Sequence, residues 1–171
     1  MKERTGFFTM KGNPLTLLGN DVKVGDKAPD FQVVDNDLGP VTLADFKGKV
    51  LILSAVTSLD TATCDTETRR FNDEATKLGG DVVIVTVSMD LPFAQKRWCG
   101  AAGIDRVQTV SDYKDASFGE AYGVLIKELR LLARTVFVVD RDGVVQYVQR
   151  VQEGSEEPNY DEVLSAIGAL A

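Results

Sequence analysis

The chain has 171 residues and a formal net charge of −7, so it lacks the basic surface expected of a nucleic-acid-binding protein. It contains no histidine, which excludes a Ser-His-Asp triad, a Cys-His nucleophile pair and an HExxH metal site. Two cysteines do not make a secreted disulfide scaffold, and no apolar run approaches the roughly 20 residues of a membrane span. We therefore expect one domain over residues 1–171, in the cytoplasm, with neither nucleic acid nor membrane as a partner.

The chain opens with a predicted β-hairpin within residues 1–20. Strand-like runs at 7–11 and 15–18 flank the turn signal Gly-Asn-Pro at 12–14. Strand-like runs then alternate with helical patterns: strands at 31–34, 41–43, 50–56, 81–88, 108–110, 135–139 and 144–148, and helices at 65–78, 92–99, 117–122 and after Asn159. This order predicts an α/β, thioredoxin-like fold, with a mixed central sheet flanked by helices and an N-terminal β-hairpin.

One cysteine, Cys64, lies at a predicted strand-to-helix junction. With Thr61 as the N-cap, Cys64 falls at position N3 of the first helical turn. Unpaired N–H groups and the helix dipole favour negative charge there by roughly 0.3–1 kcal/mol. The position therefore favours the thiolate, which is the reactive form of cysteine.

A cation from elsewhere in the chain would support this thiolate, because Asp65 and Glu67 on the same helix act against it. Arg134, at the start of a strand-like run, is our candidate for that cation. The local alternatives are Arg69 and Arg70.

The other cysteine, Cys99, lies at the predicted end of the 92–99 helix, just before Gly100. The C-terminal end of a helix dipole disfavours a thiolate, and the last turn of a short helix frays easily. Cys64 is therefore the expected primary nucleophile, and Cys99 a mobile second thiol able to approach it.

The segments around both cysteines, and four others along the chain, resemble the bacterial thiol peroxidase branch of the peroxiredoxins, and the resemblance extends over essentially the whole length. The two cysteine-containing segments together are highly specific. The matching segments are G-N-P-L-T-L-L-G (12–19), V-G-D-K-A-P-D-F (24–31), S-L-D-T-A-T-C-D-T-E-T-R-R-F-N (58–72), S-M-D-L-P-F-A-Q-K-R-W-C (88–99), Y-G-V (122–124) and L-L-A-R-T-V-F-V-V-D (131–140).

The resemblance implies a role for each of four residues. Cys64 would be the peroxidatic cysteine, which becomes a sulfenic acid, and Cys99 the resolving cysteine that forms a disulfide with it in the same chain. Thr61 would bind the peroxide, and Arg134 would support the thiolate and the substrate oxygens. The resemblance further implies reduction of hydrogen peroxide and organic hydroperoxides without a cofactor, recycling by thioredoxin, a homodimer, and a part in antioxidant defence.

The chain departs from the family pattern at Thr57. The family usually has proline four residues before the conserved threonine, where it helps to shape the loop and shields the cysteine from water. A threonine at this position has less apolar bulk and adds a hydroxyl, which leaves a second hypothesis open. In that hypothesis the chain is a thioredoxin-fold redox sensor or interaction module, in which Cys64 oxidises but turnover is poor.

Overall fold

The structure is a computed structural model that describes residues 2–170; the two ends of the predicted domain, Met1 and Ala171, lie outside these residues. Strands and helices alternate through most of the chain, as the sequence predicts. In chain order the elements are β1 (Glu3–Met10), β2 (Asn13–Leu18), β3 (Gln32–Val34), β4 (Pro40–Thr42), a 3₁₀ turn (Leu43–Phe46), β5 (Val50–Ala55), α1 (Ala62–Ala75), β6 (Val82–Ser88), α2 (Pro92–Ala102), β7 (Gln108–Ser111), α3 (Ser117–Ala121), β8 (Leu125–Ile126), β9 (Leu131–Leu132), β10 (Thr135–Val139), β11 (Val145–Arg150) and α4 (Tyr160–Gly168).

A mixed seven-stranded sheet lies at the centre of the fold, in the order β11-β10-β5-β6-β7-β3-β4. Strands β5, β6 and β7 run parallel, and the remaining neighbours pair antiparallel. Every residue of β5 is buried, as expected for a central strand covered on both faces. The predicted mixed sheet is present, and the carboxyl end of β5 leads directly to the Cys64 segment.

The predicted N-terminal hairpin is also present, as β1 paired antiparallel with β2. It belongs to a second sheet that the sequence did not indicate, in the order β1-β2-β8-β9. Phe8 and Leu17 from the hairpin pack with Ile126 and Ala133 in one buried apolar cluster. Because β9 runs into β10 through Ala133 and Arg134, the hairpin sheet lies close to the start of a central strand.

The two cysteine-bearing helices differ from their predicted bounds. Helix α1 ends at Ala75 rather than continuing to position 78. Helix α2 runs through Gly100 to Ala102, because a glycine inside a helix weakens it by only about 1 kcal/mol. The actual stop is Gly103, which takes the left-handed conformation at φ 69°. The expectation that Gly100 ends the helix is therefore wrong, and Cys99 lies within the last turn rather than at its end.

Hydropathy provides one further result about the fold. Across residues 2–170, no helix combines the length and the apolar character that crossing a membrane requires.

Candidate active site

Cys64 lies in the first turn of α1, at the position that the sequence predicts. Thr61 is the N-cap, with extended backbone angles, and its hydroxyl accepts a 3.3 Å hydrogen bond from the Cys64 backbone N–H. The Cys64 side chain is fully buried and packs with Val56 and Leu59, with Trp98 against the same cluster. The sulfur therefore sits at the positive end of a helix dipole, out of contact with bulk water.

The Thr61 hydroxyl has one remaining hydrogen-bonding position. It donates its hydrogen to the Ser58 carbonyl at 2.8 Å and accepts from the Cys64 N–H. A hydroxyl has one hydrogen and two lone pairs, so one lone pair stays available. Thr61 can accept a hydrogen bond from a further O–H group placed next to Cys64.

Arg134 contacts the Cys64 sulfur directly, although 70 positions separate the two residues in the sequence. Its Nη1 donates to the sulfur at 3.2 Å and to the Glu67 Oε2 at 2.5 Å, and its Nη2 donates to the Gly154 carbonyl at 2.9 Å. Burial acts to lower the pKa of the Arg134 guanidinium, but the Glu67 carboxylate and the Cys64 sulfur outweigh burial and raise it. A permanent positive charge thus faces the sulfur.

Glu67 belongs to the site, although the sequence predicts only that its charge acts against the Cys64 thiolate. It is fully buried, three positions after Cys64 on α1, and accepts hydrogen bonds from Arg134 and from Ser54 at 3.0 Å. Burial raises the pKa of its carboxyl, and the Arg134 charge acts against that rise. Glu67 fixes the guanidinium beside the sulfur. The signal available in the sequence was the i, i+3 spacing from Cys64, which places both side chains on one helical face.

The two alternative cations do not reach the sulfur. Arg69 pairs with Asp65 and lies over the Trp98 ring, 5.7 Å from its centroid. Arg70 bonds to Glu74 at 3.1 Å on the exposed side of α1. Of the three candidate arginines, the structure places Arg134 at Cys64.

Cys99 is a free, half-buried thiol on the neighbouring helix α2. Its sulfur lies 3.3 Å from the Thr109 hydroxyl, at a surface cavity of about 220 Å³. Cys64 is also free, so this is the reduced state of both cysteines. Trp98 connects the two sites, because it precedes Cys99 in the chain and packs against the Cys64 cluster.

Thr57, the departure from the family pattern, is accommodated inside the fold. The side chain is buried, and its hydroxyl donates a 3.0 Å hydrogen bond to the Leu132 carbonyl. A buried hydroxyl with a partner carries little penalty. The loop before Thr61 is thereby attached to β9, the strand that leads to Arg134.

The chain is similar to known proteins over nearly its whole length. The Redoxin family profile matches residues 23–164. The thiol peroxidase of Bacillus subtilis is 60% identical over 162 residues, which cover 95% of this chain and 96% of that protein. The thiol peroxidase of Halalkalibacterium halodurans is 58% identical over 161 residues, covering 94% and 96%. A crystal structure of a peroxiredoxin-like protein from Aquifex aeolicus superposes with a TM-score of 0.91 at 45% identity, covering 98% of each chain.

These matches, together with a buried thiol at a helix N-terminus, define a redoxin-type thiol enzyme. Within that class, the chain belongs to the thiol peroxidase family. The resemblance, the thioredoxin-like α/β fold and the peroxidase class that the sequence predicts are thus confirmed.

Proposed function

We propose that this protein reduces hydroperoxides with Cys64 as the nucleophile, and that Thr61 and Arg134 hold the substrate. The observation that carries the proposal is the contact between Arg134 Nη1 and the Cys64 sulfur, at the N-terminus of α1. A guanidinium and a helix N-terminus both stabilise a thiolate, and the thiolate is the form that attacks peroxide.

In the first step the Cys64 thiolate attacks the nearer peroxide oxygen. A sulfur–oxygen bond forms and the oxygen–oxygen bond breaks, which leaves Cys64 as a sulfenic acid. The leaving oxygen takes a proton and departs as water or an alcohol. The free lone pair of Thr61 would accept from the peroxide O–H, and Arg134 would donate to the oxygen on which negative charge develops.

In the second step Cys99 attacks the Cys64 sulfenic acid. A disulfide forms and water leaves. A disulfide needs the two Cα atoms within about 4.4–6.8 Å, whereas Cys64 and Cys99 lie in separate helices. The first turn of α1 and the last turn of α2 would therefore unwind locally. The half-exposed position of Cys99 in a final helical turn supports its role as the mobile partner.

Thioredoxin is the reductant that we propose, since thiol–disulfide exchange with an external dithiol restores both thiols. Such a cycle needs a reducing compartment, so we place it in the cytoplasm as part of antioxidant defence. We also propose a homodimer. Leu91 and Phe93 at the start of α2 are 51% and 66% exposed and offer apolar surface for a second copy.

Mass spectrometry after one equivalent of hydrogen peroxide tests the cycle. We expect the fully reduced monomer to lose two hydrogens, and peptide mapping to find Cys64 linked to Cys99. The Cys99→Ser variant should instead add oxygen at Cys64 without linkage. No reaction of Cys64 in either protein would refute the peroxidase function, and oxidation without linkage in the natural chain would refute the role of Cys99.

The sensor hypothesis depended on Thr57, and the buried hydrogen bond of Thr57 removes its specific support. Rapid multiple turnover with thioredoxin and its reductase would separate the two functions, because a sensor would consume only one equivalent of peroxide.

A further inference from the structure

The segment that follows β11, residues 151–155, holds Arg134 from two sides. The Gly154 carbonyl accepts the 2.9 Å hydrogen bond from Arg134 Nη2, and the Val151 N–H donates to the Arg134 carbonyl at 3.1 Å. The Nε of Arg134 is buried and has no hydrogen-bond partner within residues 2–170. The direction of the guanidinium therefore depends on Glu67 at one terminal nitrogen and on the Gly154 carbonyl at the other.

The N-terminal hairpin fixes the position of this segment through backbone hydrogen bonds. The Thr9 N–H donates to the Gln152 carbonyl at 2.7 Å, and the Gly154 N–H donates to the Thr9 carbonyl at 2.8 Å. Thr9 thus pairs alongside Glu153 as a parallel bridge between β1 and the 151–155 segment. The peptide unit next to the Gly154 carbonyl is anchored on the hairpin.

The side chain of Glu153 adds further hydrogen bonds between the 151–155 segment and the hairpin. Its carboxylate accepts from the Thr9 hydroxyl at 2.6 Å, the Lys11 N–H at 2.7 Å and the Gly12 N–H at 3.1 Å. Lys11 and Gly12 both have positive φ, at 50° and 79°, which turns their N–H groups toward one anion. These hydrogen bonds lower the pKa of the Glu153 carboxyl to about 2. Glu153 is therefore charged at neutral pH and holds the turn of the hairpin.

The hairpin also packs directly against Gly154. A Cβ atom built there would lie 2.6 Å from the Met10 Cε and 2.9 Å from the Phe8 ring. Gly154 is buried, with side chains of β1 against its Cα and the Arg134 guanidinium on its carbonyl. A shift of the hairpin would displace the acceptor of Arg134.

We propose that Glu153 is a positioning residue for the Cys64 site, and that the N-terminal hairpin acts through it as part of the active-site scaffold. Glu153 clamps the hairpin turn, the hairpin fixes the Gly154 carbonyl, and that carbonyl aims Arg134 at the Cys64 sulfur. This inference rests on the proposed function only for its effect on peroxide reduction, because its effect on the thiolate is measurable without peroxide.

The test is a titration of the Cys64 thiolate by its ultraviolet absorbance in the Cys99→Ser background, with and without Glu153→Gln. Loss of the carboxylate frees Arg134 to move, so we expect the titration midpoint to rise by about 0.5–1 pH unit. The corresponding rate of peroxide reduction near neutral pH should fall about 3- to 10-fold. Removal of a negative charge would by itself lower the midpoint, so a rise is specific to lost positioning.

Glu156→Gln is the matched control, because Glu156 is exposed in the same loop and carries the same charge. Thr9→Val is a milder second variant, which removes only one donor to Glu153 and guards against a misfolded Glu153→Gln protein. The proposal would be overturned if the Cys64 titration midpoint did not rise in either Glu153→Gln or Thr9→Val. It would also be overturned if Glu156→Gln shifted that midpoint as much as Glu153→Gln does. A natural chain that fails to reduce peroxide while the midpoints shift would instead refute the proposed function alone.

Discussion

The Asp90 carboxylate accepts a 2.6 Å hydrogen bond from the Ser58 hydroxyl. It also accepts from the Leu59 N–H and the Ser88 hydroxyl, both at 2.8 Å. Ser58 lies in the loop that positions Thr61, and Asp90 lies between β6 and α2. One carboxylate thus joins the loop before Cys64 to the start of the helix that carries Cys99. The hydrogen bonds of Asp90 stabilise the folded arrangement in which Cys64 is buried.

We predict opposite effects of Asp90→Asn on the two chemical steps. An amide nitrogen cannot accept, so at least one of the three hydrogen bonds is lost or must reverse its direction, and the negative charge that strengthens all three is removed. Sulfenic acid formation should slow by about 3- to 10-fold, whereas the later disulfide step should accelerate, because less free energy is needed to unwind the site. Rapid-mixing measurement of both phases checks this. Asp73→Asn, on the exposed face of α1, is the control, and slowing of both steps would contradict the prediction.

Arg134→Lys should reduce the rate of peroxide reduction by about 100- to 1,000-fold. Lysine keeps the charge, and it can pair with Glu67, but one ammonium lacks the fork that serves Cys64, Glu67 and the Gly154 carbonyl together. Single-turnover kinetics measures the loss. Arg70→Lys changes an exposed arginine paired with Glu74 and should stay within about twofold of the natural chain. Equal rates of peroxide reduction in Arg134→Lys and Arg70→Lys would show that the guanidinium of Arg134 makes no specific contribution to the reaction.

Thr57→Val should lower the free energy of unfolding by about 1 kcal/mol, because it removes the buried hydrogen bond to the Leu132 carbonyl. Thr86→Val is a matched control in β6. The Thr86 side chain is also buried, but its hydroxyl has no partner within residues 2–170. The same substitution there should raise stability. Denaturant unfolding of the reduced proteins gives both values, and equal destabilisation of the two variants would show that the Thr57 hydrogen bond contributes nothing specific.

Because the Asp112 carboxyl is buried, we predict that the free energy of unfolding falls as the pH rises. Burial raises the pKa of this carboxyl from 3.8 to about 6, although the Phe118 and Gly119 N–H groups donate to it at 3.0 and 2.8 Å. The unfolded chain releases the proton first, so the neutral buried form stabilises the fold below about pH 4, and that contribution disappears as the pH passes through about 6. The shift corresponds to about 3 kcal/mol.

The comparison with Asp112→Asn isolates this effect. The free energy of unfolding of the natural chain, minus that of the variant, should fall by about 3 kcal/mol between roughly pH 4 and pH 7. The hydrogen bonds from the Phe118 and Gly119 N–H groups favour the charged form and are already included in the shifted pKa, whereas the variant has no group that titrates at this position. Thr57→Val, which removes no titratable group, is the control and should give a flat difference. A flat or rising difference for Asp112→Asn would contradict the prediction.

Local features of the site were predictable from the sequence because short-range geometry decides them. A threonine three positions before Cys64 is an N-cap signal, and the structure has that hydrogen bond. Arg134 could be named from the sequence only as one of three candidate cations. The family resemblance was needed to favour it, because 70 positions separate Arg134 from Cys64.

Other features depend on tertiary packing that the sequence pattern does not contain. A glutamate on a helix is normally exposed, and the burial of Glu67 depends on the ion pair that its carboxylate forms with Arg134. Strands β8 and β9 have two residues each, too few to show a periodicity, and exist because they extend the hairpin sheet. The end of α2 at Gly103 rather than at Gly100 depends on which of the two glycines adopts the left-handed conformation, and the local sequence does not decide that.

Trp98 gives this protein an internal optical probe. It is the one tryptophan of the sequence, so all indole emission comes from a single position. Its ring packs against the Cys64 cluster with the Arg69 guanidinium 5.7 Å from its centroid, and the next residue is Cys99. Any movement that brings Cys99 to Cys64 must change the surroundings of this ring. The emission spectrum of the unlabelled protein should therefore distinguish its reduced and disulfide forms, and follow each turnover in real time.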